Sequence, residues 1–325
     1  MSSRPMRNIL VTGACGQIGS ELTMALRERY GNEHVVAAGH RTPPPDDVRD
    51  SGPFVSLDVT DRQALEEVVE QYHIDTIYHL AAVLSAAGEQ KPDLAWRVNM
   101  TGLYNVLEVA RTHGLARVFC PSSMAVFGPS TPKDNTPQET ILSPTTMYGI
   151  TKVAGELLGN YYVHKFGVDV RGLRYPGIIS HKTPPGGGTT DYAVAIFYDA
   201  VKYRRYTCFV REDTVLPMMY MPDAIRAAIE LMEADFRRLT RHADYNITAM
   251  SFSAGELARE IRKHIPDFAC EFQPDFRQAI ADSWPRSIDD SVARADWGWR
   301  PAYDLPAMTV DMLNALQARY RQGQL

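Results

Sequence analysis

The segment Val11-Thr-Gly13-Ala-Cys-Gly16-Gln-Ile-Gly19 constrains this chain more than any other stretch. It joins an apolar, β-branched run over 8–12 to a helical pattern over 21–30. Glycines at this spacing permit a tight turn, close approach of backbone to a ligand, and close packing of a helix on a strand. The helix that follows offers free N–H groups and a partial positive charge, which suit a phosphate. A tight strand-to-helix turn with no ligand is the plainer reading of the same residues. Context separates the two.

That context is repetition. Apolar strands are predicted over 34–38, 54–57, 76–80, 117–121 and 169–173, with helices over 62–72, 95–112 and 148–166. Such alternation predicts a parallel sheet covered by helices on both faces. The fold class is therefore α/β, a doubly wound Rossmann-type sheet with its ligand crevice at the carboxyl ends of the strands. In that frame Gly13, Gly16, Gln17, Ile18 and Gly19 are the expected phosphate-binding turn.

The pattern changes after Tyr175. A proline- and glycine-rich loop over 182–190 leads to a predicted helix over 192–203 and a strand over 214–220. A helix over 223–234 follows, with Asp223 as its expected N-cap, then helices over 254–264 and from about 307. We assign 6–180 to a dinucleotide-binding domain, with 214–250 returning to it. Segments 181–213 and 251–325 form a smaller C-terminal substrate-binding lobe.

Composition excludes several classes. The 325 residues are 45% hydrophobic and 22% charged, ordinary for a globular chain. No apolar run approaches the ~20 residues of a membrane span. A net charge of −5 without a basic run argues against nucleic acid as a partner. The N-terminal MSSRPMRNIL lacks a signal peptide's apolar stretch. Cys15, Cys120, Cys208 and Cys270 show no metal-type spacing and suit a reducing compartment, and the histidines form no cluster. The expectation is a cytoplasmic protein without a metal.

Tyr148-Gly-Ile-Thr-Lys152 carries the chemistry. Residues four apart on a helix share a face, so phenol and ammonium point the same way. A free phenol has a pKa of about 10, and a neighbouring cation stabilises its phenolate, making it a usable base. Taken alone, Tyr-x-x-x-Lys is also an ordinary solvated helix face. Ser122 and Ser123, at the carboxyl end of the strand over 117–121, precede Tyr148 by about 25 residues. A hydroxyl placed there can bond a reacting oxygen. Val126-Phe127-Gly128 resembles the Val-Tyr-Gly of sugar-nucleotide epimerases, a resemblance that implies Ser123 with Ser122 as its alternative.

Glycine turn, strand-end serine and Tyr-x-x-x-Lys, in this order, resemble the extended short-chain dehydrogenase/reductase superfamily. The stretches 84–89, 187–193, 216–223, 245–251 and 282–290 resemble its L-threonine 3-dehydrogenases in particular. The resemblance implies a metal-free alcohol dehydrogenase in which Tyr148 takes the proton, Lys152 assists it and holds the nicotinamide ribose, and Ser123 bonds the substrate hydroxyl. It implies contacts from Asp58 and Val59 to the adenine, and from Leu80, Ala81 and Ala82 along the dinucleotide, with Asn99 and Tyr175 beside the site. Ser85 and Thr189 or Thr190 become candidates for the amino and carboxylate ends of the substrate. Both threonines are equally readable as caps of the helix that follows them.

The expected cofactor is NAD, with one departure. Gly39 stands where NAD-selective relatives place an acid, and Arg41 is able to face a 2′-phosphate, which keeps NADP open. A homodimer through the two long helices is also implied. The alternatives are a sugar-nucleotide epimerase or dehydratase, and a non-catalytic dinucleotide-binding redox sensor.

Overall fold

The computed structural model describes residues 4–186 and 188–325; Gly187 of the glycine-rich loop lies outside them. Strands in chain order are β1 (Ile9–Thr12), β2 (Val35–Gly39), β3 (Phe54–Ser56), β4 (Thr76–His79), β5 (Arg117–Phe119), β6 (Ser122–Ser123) and β7 (Val170–Arg171). They continue with β8 (Leu173–Tyr175), β9 (Gly177–Ile179), β10 (Arg205–Cys208), β11 (Val215–Tyr220), β12 (Tyr245–Asn246), β13 (Met250–Ser253) and β14 (Ala269–Phe272). Six of them form a parallel sheet in the order β3-β2-β1-β4-β5-β7.

The period-two geometry of a strand explains the two helical layers. Ile9 and Val11 of β1 pack with the helices Gln17–Tyr30 and Met221–Glu233. Leu10, between them, faces the helices Arg62–Gln71 and Gly102–Thr112. Val35 and Val36, and Tyr78 and Ile77, divide in the same way. Chain order reverses between β1 and β4, the switch point at which a doubly wound sheet opens a crevice. This is the Rossmann-type α/β architecture.

Several elements depart from expectation for physical reasons. The strands expected over 117–121 and 169–173 each break and resume in a second sheet, β12-β8-β6. Pro121 has no N–H for the first ladder. A Cβ on Gly172 would lie 2.4 Å from the Cys120 carbonyl oxygen, so the chain bends at that close approach. The helix expected over 95–112 is Pro92–Trp96, a π-turn at Arg97–Thr101 and then Gly102–Thr112. Asp223 is not an N-cap. The helix Met221–Glu233 starts two residues earlier, with Pro222 in its first turn. The Asp223 carboxylate instead accepts from the backbone N–H groups of Ala302 and Tyr303 and pairs with Arg226. The strand expected over 214–220 is β11, which lies between β13 and β9, while β10 and β14 pair with each other as a separate two-stranded sheet. Among the described residues no helix is long and apolar enough to cross a membrane.

Buried arginines tie the layers together. Arg171 is fully buried, bidentate to Asp169 at 2.8 Å, and donates to the carbonyls of Leu231 and Ala234 at the end of the helix Met221–Glu233. Removing one partner of such a pair strands the other charge, which costs about 3–5 kcal/mol. Asp169→Ala is therefore expected to lower the urea-unfolding free energy by about 3 kcal/mol. Arg49→Ala, which breaks the solvent-exposed pair with Asp50, should leave it almost unchanged in the same measurement.

Candidate active site

The glycine turn sits at the switch point. Gly13 has φ +72°, and a Cβ there would fall 2.6 Å from the backbone nitrogen of Ala81. A Cβ on Gly19 would fall 2.1 Å from the Gly13 carbonyl oxygen. The first contact presses the turn onto the end of β4; the second presses the helix onto the turn. Gly16 is the N-cap of the helix Gln17–Tyr30, and no side chain caps that end. Its first N–H groups, from Gln17 and Ile18, are left to a ligand.

Two connected cavities open from this turn, sharing Gly13, Gly16, Leu80 and Ala82 as walls. The outer one, about 350 Å³, reaches Arg41, Asp58, Ala81 and Gly39. The inner one, about 250 Å³, reaches Ser85, Ser123, Tyr148, Lys152, Tyr175 and Thr189. One crevice thus joins the phosphate turn to the phenol. Its uncapped helix start, small walls and length fit a dinucleotide.

Tyr148 and Lys152 project from the first turns of the helix Met147–Phe166. Thr146 caps that helix by accepting from the Gly149 N–H, and the Glu89 carboxylate accepts from the Met147 N–H. The Lys152 ammonium donates to the Pro121 carbonyl at 2.7 Å and lies 5.5 Å from the centre of the Tyr148 ring. β6 presents the two serines differently. The Ser122 hydroxyl is buried and donates to Glu156, which is itself bidentate to Arg174 at 2.8 Å. Ser123 faces the crevice, and among the described residues its oxygen accepts only from the nearby Ala125 N–H, at 3.2 Å. Strand alternation sends the Ser122 hydroxyl to Glu156 and turns the other toward the crevice.

A family model described as the NAD dependent epimerase/dehydratase family matches residues 9–248. The chain belongs to the NAD dependent epimerase/dehydratase family. A relative from Staphylococcus haemolyticus, named an uncharacterized epimerase/dehydratase, is 54% identical over 97% of this chain and 99% of its own length. The L-threonine dehydrogenase from Clostridium difficile superposes with a TM-score of 0.95 and is 52% identical, covering 97% of this chain and 99% of that one. The holo form of an L-threonine dehydrogenase from Cupriavidus necator gives a TM-score of 0.93 and 56% identity, over 95% and 99% of the two chains.

In this epimerase/dehydratase family member the π-turn has a definite job. Asn99 lies within it, buried; its oxygen accepts from the Val83 N–H at 2.8 Å, and its amide donates to the Val83 carbonyl and the Thr151 hydroxyl. The wider turn aims Asn99 at both the β4 loop and the helix bearing Tyr148, and π-turns often serve functional sites in this way. Asn99 also lines a small hollow beside the inner cavity, with His79, Ala82 and Lys152. Val59 also turns inward, buried against Gly102, with its carbonyl taken by Asn105. Asp58 accepts from the backbone and hydroxyl of Thr60. Burial opposes its ionisation, but those bonds, with His40 and Arg41 nearby, lower its pKa overall.

At the substrate end the capping reading of the threonines fails. Asp191 is the N-cap of the helix Tyr192–Tyr203, and no side chain bonds that end. Thr189 is 1% exposed, and its hydroxyl has no hydrogen-bond partner among the described residues. Thr190 leans on Gly177. Ser85 begins the helix Ser85–Gln90. Trp284 is both buried and part of the inner wall. Pro176 and Ile178 also line the inner cavity, and nothing in the sequence distinguished them from ordinary core. Arg204 and Arg211 pair with Asp267 and Asp282, and neither they nor Arg205 line the two cavities.

His79 closes the site from below. Its Nδ1 is 2.9 Å from the Thr12 hydroxyl. Burial, and then the Lys152 ammonium, push its pKa down to about 3 from 6.5, so the folded protein holds it neutral. The unfolded chain binds a proton there below about 6.5 and the folded chain does not, so this group costs stability as pH falls from about 6.5 toward 3. His79→Asn should flatten the dependence of unfolding free energy on pH across that window by up to one proton, about 1.4 kcal/mol per pH unit. Urea titrations at stepped pH check this; an unchanged slope would show the ring to be charged in the fold.

Proposed function

We infer that this chain is an NAD-dependent L-threonine 3-dehydrogenase, which oxidises the C3 hydroxyl of L-threonine to 2-amino-3-oxobutanoate. One observation carries the reading: more than half identity to L-threonine dehydrogenases runs over 95–97% of the chain, substrate end included. The crevice supplies the means. NAD, when bound, accepts the C3 hydrogen as hydride. Tyr148 takes the hydroxyl proton while the C3–O bond becomes a carbonyl, and the Lys152 ammonium stabilises the phenolate before that transfer. The Ser123 hydroxyl bonds the reacting oxygen. Thr189, with Thr190 and Ser85, receives the charged amino and carboxylate ends.

For the cofactor, the turn from Gly13 through Gly16, Gln17, Ile18 and Gly19 would hold the pyrophosphate, Asp58 and Val59 the adenine end, and Lys152 the nicotinamide ribose. Leu80, Ala81 and Ala82 would lie along its length, beside Arg41 and Tyr175. Asn99 would keep that surface and the Tyr148 helix in register. The glycine-rich loop over 182–190 would cover the substrate.

Two copies would pair through the apolar outer faces of the helices Gly102–Thr112 and Met147–Phe166. Tyr104, Ile150, Tyr161 and Phe166 are exposed there, and Leu157 is 65% exposed. The free thiols at all four cysteines support a reducing, cytoplasmic setting. The division into a dinucleotide-binding part (6–180 with 214–250) and a substrate lobe (181–213 and 251–325) completes the proposal.

The purified chain should reduce NAD with L-threonine, followed by the near-ultraviolet absorbance of the reduced nicotinamide; no reduction would end this assignment. Tyr148→Phe is expected to lower kcat by at least about 100-fold while dinucleotide binding, measured by calorimetry, persists. Thr189→Val should raise KM for L-threonine about tenfold, the size of one lost hydrogen bond to a charged group. Sedimentation should give the mass of two chains, and Leu157→Glu should halve it; a single-chain mass for the parent would remove the dimer.

A further inference from the structure

The adenosine end of the crevice differs from that of an NAD-selective site. Selectivity for NAD ordinarily comes from a carboxylate at the end of the second strand, which accepts the ribose hydroxyls and repels a 2′-phosphate. Here β2 ends on Gly39. The space an acidic side chain would need is already filled, because a Cβ on Gly39 would lie 2.4 Å from the Cys15 sulfur and 3.2 Å from the Phe54 ring.

Basic groups surround the same cavity. His40, Arg41 and Arg97 line it and are exposed. Among the described residues neither guanidinium forms an ion pair within 4.0 Å. The carboxylate lining the same cavity is Asp58. One of its oxygens is taken by Thr60, and the other lies 3.6 Å from the His40 ring. Three basic side chains against one occupied carboxylate leave the cavity attractive to an added phosphate.

We propose that this site accepts the 2′-phosphorylated dinucleotide, NADP, as well as NAD, with Arg41 pairing with the 2′-phosphate. The proposal rests on the dinucleotide reading of the crevice and is independent of which alcohol is oxidised. Gly39, by withholding an acid, and Cys15, by occupying its place, set the tolerance. A guanidinium suits this role because its fork of donors matches phosphate oxygens.

Calorimetric titration of the full chain with ADP-ribose and with its 2′-phosphate tests this without turnover. The two dissociation constants are expected within about tenfold of each other, a difference no larger than one hydrogen bond to a charged group. Arg41→Gln should move their ratio about tenfold toward ADP-ribose, and added salt should move it in the same direction. In the double variant Cys15→Ala with Gly39→Asp, the restored acid should raise the preference for ADP-ribose to at least about 100-fold. Tight binding of ADP-ribose alone by the parent chain would overturn the proposal and leave the NAD reading intact. Binding of neither ligand would overturn both. An unmoved ratio in Arg41→Gln would remove Arg41 from the role.

Discussion

The approach of one backbone to another, Gly13 against Leu80–Ala81, is the constraint on which the site depends. A side chain at residue 13 would have to occupy the space of the β4 backbone. Because it has none, the first turn lies flat on the neighbouring strand end. The helix after it then begins at the sheet's carboxyl edge, with its unbonded N–H groups directed into the crevice. The Thr12–His79 contact holds the same two strand ends together one layer deeper. Ligand-binding geometry here is a consequence of packing at two glycines.

The chemical half of the crevice depends on a second framework, built from polar groups. The helix carrying Tyr148 is held at its start by Thr146 and Glu89, along its side by Asn99 through Thr151, and at its lysine by the Pro121 carbonyl. Beneath it the Glu156–Arg174 pair is buried and also engages Ser122. Burial pushes the Glu156 carboxyl upward, against the pull of Arg174 and Ser122. A buried pair of this kind is costly to break, which favours a single arrangement of the strand end and the helix that face the ligand. Ser123, Tyr148 and Lys152 then converge because the strand β6 and the helix Met147–Phe166 have little freedom to move apart.

Much of this was legible in the chain itself. The alternation of apolar strands with helices was visible because parallel strands are buried on both faces and read as continuous apolar runs. Tyr148 and Lys152 were visible because helical periodicity alone places residues four apart together. Other features were hidden for identifiable reasons. Asp223 looks like a cap until the distant backbone of Ala302 and Tyr303 is seen to claim its carboxylate. The Asn99 turn looks like plain helix, since a single π-turn changes no residue pattern. Thr189 and Thr190 look like caps because local rules name hydroxyls before a helix, yet Asp191 holds that position.

By itself the sequence determined the class of fold, the glycine turn after the first strand and the placing of Tyr148 and Lys152 on one helix face, all of which follow from spacing along one strand or one helix. Tertiary structure decided what depends on meetings between distant segments. It gave Ser122 and Ser123 different surroundings, because Glu156 engages the Ser122 hydroxyl while Ser123 accepts from the Ala125 N–H. Among the described residues, it left the Thr189 oxygen without a hydrogen-bond partner at the wall of the inner cavity. It set Cys15 against Gly39, so that the strand end lacks both an acid and room for one. Local periodicity is written in neighbouring residues, whereas the fate of a polar atom depends on which remote group arrives beside it.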